Sequence, residues 1–342
     1  MQPALALVFF YTLSLSLYAE DKISQAKFFR NLGIKPNEEE AAAYGGLRTL
    51  VITHKALVED RKKLELVECG IRDLRAFESL KNLEWLRLSH NPISDITPLS
   101  GLKNLQVLSL YGMPKVDSSV TSGINDLTPL SQLSNLWSLT LDENRVSDLS
   151  PLAGLTSLRT LYLTANEIKN IAPLGNLNGI QTLYLSENMI EDIKPLGSLP
   201  ELSWLRLSRN KIADIWPLAN LLNLEQLRID QNQVRSLSPL SNLTKLQQLS
   251  LKGNQINSIA PLSRLTALKE LYLDNNQIDD LSAVVGMRHL RVLTFANNQV
   301  SDLTPLKVLR KLKTLVAVGN SFPEEQVDQL RELLPECEII HR

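Results

Sequence analysis

The sequence predicts an α/β solenoid, a stack of short units that each give one strand to a common sheet and return through irregular or 3-10 backbone. Three observations predict it. Leucine is 69 of 342 residues while aromatics are 5%. The word L-x-x-L-x-L-x-x-N recurs at an interval of 22 residues. A second word, built on Ile or Leu, Asp and Pro, follows each copy of the first. A fixed period of this length marks a repeat architecture, in which one unit cannot bury its apolar face alone and neighbours must stack to do so.

The elements follow in chain order. Residues 3–19 are uncharged and run straight into Glu20, Asp21 and Lys22. That stretch is short for a spanning helix and suits the apolar region of a signal peptide, with Ala19 as the small residue at the cleavage point. Residues 1–19 are therefore expected to be a signal peptide or an N-terminal anchor. Asn37 before Glu38, Glu39 and Glu40, with Gly45 and Gly46 downstream, predicts a short helix. Leu47, Leu50 and Ile52 echo the strand word, so residues 20–60 read as a helical cap leading into a truncated unit. Residues 61–320 hold twelve copies of the word. Leu83, Leu86, Leu88 and Asn91 open one of them, and further copies start at 136, 158, 180, 202, 224, 246, 268, 290 and 312. Two copies are degraded at the Asn slot, by Cys69 and Met113. Residues 321–342 form the C-terminal cap: a helix over 323–334, begun by Ser321 and Pro323 with Glu324 and Glu325 in its first turn and stopped by Pro335, then a closing strand over 337–340.

Each slot has a physical task. L-x-L is a short strand whose leucines point inward and whose intervening residues point outward. The Asn carries donors and an acceptor that reach backbone groups of its own turn and of the next unit, where no ladder satisfies them. Pro, at 98, 129, 151, 173, 195, 217, 239, 261 and 305, fixes φ and keeps a helix from growing on the return path. The Asp column at 73, 95, 126, 148, 192, 214, 280 and 302 recurs with that motif and reads as turn bonding rather than a ligand ladder. One unit breaks the period: Leu105 to Leu136 is nine residues longer than the rule, and residues 114–123 are expected to form a surface loop.

Composition narrows the function. With 36 basic and 37 acidic residues the net charge is −1, which lacks the signature of a nucleic-acid binder. Two cysteines do not make a disulfide scaffold, and Cys69 and Cys337 are expected to be free, buried thiols. His54, His90, His289 and His341 fall in different units, leaving no zinc set and no nucleophile–His–carboxylate grouping. Asp142, Glu143 and Glu187 read as solvated rim charges rather than an acid–base pair. Neither catalytic nor metal-binding residues nor a cofactor is assigned.

The repeated word together with N-x-I-x-D-I-x-P-L-x-x-L resembles the bacterial internalin-type leucine-rich repeat, and is similar to that of the type-1 protein phosphatase regulatory subunit. The prolines favour the bacterial subclass. The resemblance implies a right-handed leucine-rich-repeat solenoid: a parallel sheet on the concave face, a 3-10 or irregular convex side, and helical caps at both ends. It also implies a protein partner gripped in the concavity. No immunoglobulin-like module or wall-sorting signal follows the repeats in this sequence, so binding is implied more strongly than host-cell invasion.

The outward strand positions locate the expected surface. Of the nine Trp and Tyr beyond residue 19, seven occupy outward slots: Trp85, Tyr111, Trp137, Tyr162, Tyr184, Trp204 and Tyr272. No Phe does, and Phe295 takes an inward Leu slot. Adding Arg87, Arg206 and Arg228 from the central outward column completes the candidate partner-binding set. Tyr162, Tyr184, Arg206 and Arg228 should form one stripe on adjacent strands, and Tyr, Trp and Arg are the residues enriched at binding hot spots. The expectation is an exported, monomeric, non-catalytic module that recognises a protein, touching a membrane only through residues 1–19 if these stay attached. Two alternatives remain at this level. One is an intracellular scaffold such as a phosphatase regulator, which follows if residues 1–19 are not a signal. The other is a glycan or peptidoglycan binder, since outward indole and phenol rings also stack on sugars.

Overall fold

The computed structural model describes residues 62–112 and 123–342 in full, and residues 12–15 and 50–53 as backbone. The expected cleavage point, the helix after Asn37 and nearly all of the long unit's insertion lie outside the described residues. The chain divides into two compact units, Met1–Ser157 and Leu158–Arg342.

In the first unit, Thr12–Leu15 (β1) and Leu50–Thr53 (β2) pair antiparallel as a two-stranded sheet. Lys63–Glu65 (β3), Trp85–Arg87 (β4), Val107–Ser109 (β5) and Ser138–Thr140 (β6) then pair in parallel. In the second unit nine parallel strands follow one another: Thr160–Tyr162 (β7), Thr182–Tyr184 (β8), Trp204–Arg206 (β9), Gln226–Arg228 (β10), Gln248–Ser250 (β11), Glu270–Tyr272 (β12), Val292–Thr294 (β13), Thr314–Val316 (β14) and Glu338–Ile340 (β15). Each return path before β14 carries a 3-10 turn, such as Thr97–Leu99 in the first unit and Trp216–Asn220 in the second, with Pro in its first two positions except at Arg75–Ser79 and Ser282–Gly286. The fold is the leucine-rich-repeat solenoid. Its helix Glu324–Leu333 (α1) buries Val327 and Leu330 and leads into β15.

The slots do what their chemistry predicts. Leu202, Leu205, Leu207, Ile212, Leu218 and Leu221 are fully buried, and so is Phe295. The Asn side chain joins neighbouring repeats. Asn210 Nδ2 donates to the carbonyls of Leu207 (3.0 Å) in its own turn and Leu185 (2.9 Å) in the preceding repeat, while its Oδ1 accepts from the Ile190 amide at 2.9 Å. Asn144 keeps the pattern across the long unit, donating to Leu110 O (2.8 Å) and accepting from Ile124 N (3.0 Å). Gly112 allows that passage, because a Cβ there would lie 1.9 Å from the Glu143 carbonyl oxygen. The Asp column caps the turns. Asp148, Asp214 and Asp302 accept the amides of Ser150, Trp216 and Thr304 at 2.8–2.9 Å.

Two expectations are corrected. Cys69 is buried, but Cys337 is only half-buried on the exposed last turn; burial still pushes its thiol up to about 11. Asp142 is not a rim charge: it is 8% exposed. Its slot lies directly after the second strand leucine. At Asp274, in the same slot, the carboxylate accepts the Thr294 hydroxyl and the Ala296 amide.

Candidate functional site

The candidate site is the outward face of the sheet, and each unit presents its own part. Because adjacent strands pair residue for residue, at a 22-residue offset from β7 to β14, one outward slot becomes a continuous column about 4.8 Å per step. In the second unit Tyr162 pairs with Tyr184, Tyr184 with Arg206, and Arg206 with Arg228. The two tyrosine rings lie 4.8 Å apart at 52°. The Arg206 guanidinium sits 4.2 Å above the Tyr184 ring, a cation–π contact. All four are half-buried, and Trp204 beside Arg206 is 43% exposed. The small residues between are occluded by these long neighbours: Ser250, flanked by Arg228 and Tyr272, is 5% exposed. Tyr272 stands apart from the stripe. Its hydroxyl donates to Glu270 at 3.0 Å, Lys252 lies over its ring, and burial raises its pKa.

In the first unit Trp85 and Trp137 border a shallow depression of about 540 Å3 that also takes in Lys62, Lys63, Arg87 and Val107. Lys63 Nζ stands 3.4 Å over the Trp85 ring, and the buried Trp85 Nε1 has no hydrogen-bond partner among the described residues. Arg87 is paired with Glu65 at 3.2 Å. Tyr111 points elsewhere, its ring 4.8 Å from His90 and its hydroxyl donating to Glu143 at 2.7 Å.

Sequence reasoning missed a second column. The residue before each Asn, and before Cys69 in the Asn slot, lies in the left-handed region: Glu68, His90 and Glu143 in the first unit; Ala165, Glu187, Arg209, Gln231, Asn275 and Asn297 in the second, with glycine at 253 and 319. Arg209 there bonds both neighbours, Glu187 at 3.3 Å and Gln231 at 2.9 Å. Gly253 and Gly319, with Asn275 and Asn297, were the available signal in that slot. Trp216 was also missed: it is 63% exposed, but on the 3-10 side and not on the sheet. Among the described residues no set of three His, Cys, Asp or Glu could hold a metal, and no helix is long and apolar enough to cross a membrane.

Comparison with known proteins places this geometry among leucine-rich-repeat proteins. The family model "Leucine Rich repeats (2 copies)" matches residues 81–131 and 134–176, and the leucine-rich-repeat model of "Leucine-rich repeat and WD repeat-containing protein 1" matches 240–336. The solved structure of an internalin, InlF of Listeria monocytogenes, is similar at 32% identity and a TM-score of 0.80, covering 92% of this chain and 88% of that one. Internalin C2 of the same organism is 32% identical with a TM-score of 0.53, over 60% of this chain and 88% of that one. A leucine-rich-repeat protein of Leptospira interrogans is 25% identical with a TM-score of 0.68, over 83% and 84%. A search of curated proteins finds no match.

Proposed function

The chain belongs to the internalin-type leucine-rich-repeat proteins, and from that premise we propose that it is a non-catalytic module that holds a protein partner against the outward, concave face of its sheet. The leucine-rich-repeat fold is used for protein recognition, which supports the general reading. The single observation that carries the specific one is the in-register stripe Tyr162–Tyr184–Arg206–Arg228 with Trp204 exposed beside it. These rings contribute little to the fold, since cross-strand aromatic pairs stabilise a sheet by tenths of a kcal/mol to about 1 kcal/mol. Large rings and guanidinium groups on a rigid sheet lose little freedom on contact and bury much area. The proposed partner-binding residues are the stripe, Trp204 and Tyr272 in the second unit, and Trp85, Arg87, Tyr111 and Trp137 in the first. The uncharged residues 3–19 support export, which sequencing of the mature N-terminus tests.

The binding experiment uses the full chain as bait for surface proteins, with Tyr184→Ala plus Trp204→Ala as the variant. Its stability should fall by no more than about 1 kcal/mol while capture falls at least tenfold. Undiminished capture would remove these residues from the site, and selective retention on a glycan array instead of protein capture would replace the protein partner by a sugar.

A further inference from the structure

Arg206 and Arg228 are direct neighbours on β9 and β10, a placement that sets two like charges side by side and costs stability. Such a pair is ordinarily relieved by a carboxylate, and the face has several. Each is engaged elsewhere. Glu187 binds Arg209. Asp230 accepts the hydroxyls of Ser208 and Ser250 and the amide of Lys252. Glu225 accepts from Gln247 at 3.4 Å, and Glu270 from the Tyr272 hydroxyl. Among the described residues no carboxylate lies within ion-pair distance of either arginine, whereas Arg87, in the same column of the first unit, has Glu65.

Resting on the protein-recognition reading above, we infer that the Arg206–Arg228 pair is a clamp for a side-chain carboxylate of an acidic, extended segment of the partner. Two planar guanidiniums offer up to ten N–H donors, and their fork geometry matches a carboxylate bidentately. Tyr184 holds the Arg206 group by its ring face, so the donors at its edge stay available. Charge fixes the kind of anion. Along the outward slots of β7–β10 and their turns, Arg159, Arg206, Arg209 and Arg228 face Glu187, Glu225 and Asp230. An excess of one positive charge suits a monoanion and disfavours a doubly charged phosphate. Trp204, exposed next to Arg206, would cover the apolar neighbour of the bound acid.

The test selects peptides from a random display library on the full chain and then titrates a synthetic alternating Glu–Gly peptide, its Gln–Gly counterpart and a phosphoserine–Gly peptide. Selected sequences should be enriched in Asp and Glu, and Arg206→Gln with Arg228→Gln should abolish the enrichment and weaken the Glu–Gly peptide at least tenfold. The same variant should unfold at an equal or higher temperature, because it relieves a repulsion; Arg206→Lys with Arg228→Lys should restore only part of the binding, as lysine keeps the charge but loses the fork. Equal binding of the Glu and Gln peptides, or tighter binding of the phosphopeptide, overturns the carboxylate clamp. Selected peptides without acidic enrichment that still depend on Tyr184 and Trp204 overturn the clamp and leave the recognition reading standing. Failure to select any peptide counts against both.

Discussion

Within the second unit, the strands β7–β10 and β11–β14 share one core and differ in what they show to solvent. Both fill the leucine slots completely and both carry the Asn ladder. Outward, the first four present Tyr162, Tyr184, Arg206 and Arg228, while the last four present Ser250, Tyr272, Thr294 and Val316. The left-handed slot divides the same way. It holds Ala165, Glu187, Arg209 and Gln231 in the first four, and Gly253, Asn275, Asn297 and Gly319 in the last four. Glycine takes that conformation freely and asparagine readily, whereas other residues lose about 1–2 kcal/mol there. The exposed Arg209–Glu187 pair returns roughly 0–1 kcal/mol, less than its two residues forgo. The difference teaches that the first four repeats accept backbone strain to keep long polar side chains beside the aromatic stripe, and the last four avoid that strain and offer a single outward ring, Tyr272. Ala165 carries the strain without a polar group, and nothing in the structure explains it.

The largest effect should be common to both halves. Asn210→Ala and Asn276→Ala each orphan two buried carbonyls and one buried amide, at about 1–3 kcal/mol per group. Urea unfolding should show a loss of at least about 3 kcal/mol from either variant; clearly unequal losses would mean that the cores differ as well as the surfaces. The next effect separates the halves. Gly253→Ala should cost about 1–2 kcal/mol, while Ala165→Gly should stabilise by up to about 1 kcal/mol after the added flexibility of glycine is subtracted. If Ala165→Gly lowers the urea midpoint, the slot is not strained and the contrast between the halves collapses. The smallest effect concerns the caps. Hydrogen bonds from Thr304 hold the Asp302 carboxyl below its ordinary value of 3.8. A carboxyl depressed in the folded state stabilises at pH values above its unfolded pKa and ceases to do so as pH falls through the folded one. Stability should therefore decline below about pH 4, and Asp302→Asn should flatten that decline slightly; an unchanged acid limb would deny the cap its share.

The repeat frame was legible because each slot repeats its own chemistry: the leucines, the Asn and the Pro fix which residues turn inward and where the chain turns. The stripe was legible for the same reason, since a 22-residue offset is the strand register. The left-handed column was not, because Glu187, Arg209 and Gln231 give no turn signal and only their glycine and asparagine counterparts do. The burial of Asp142 was hidden as well, since strand alternation alone points its slot outward. Only the contacts reveal that Arg206 and Arg228 lack a carboxylate, although the Glu65–Arg87 succession in the same column already hinted at how the first unit differs.

The asparagine bonds have a consequence for how such a chain can change length. Asn210 reaches one repeat back to backbone atoms that every repeat supplies at the same places, so excising or duplicating 22 residues within the second unit leaves each bond an equivalent partner. A gain or loss of another size keeps the rung only where strand and Asn stay in register, as they do across the long unit, where Asn144 still reaches the Leu110 carbonyl. Recombination between repeats could thus slide the arginines one strand spacing, about 4.8 Å, along the sheet without disturbing the interior, a way of resizing a binding surface in fixed increments.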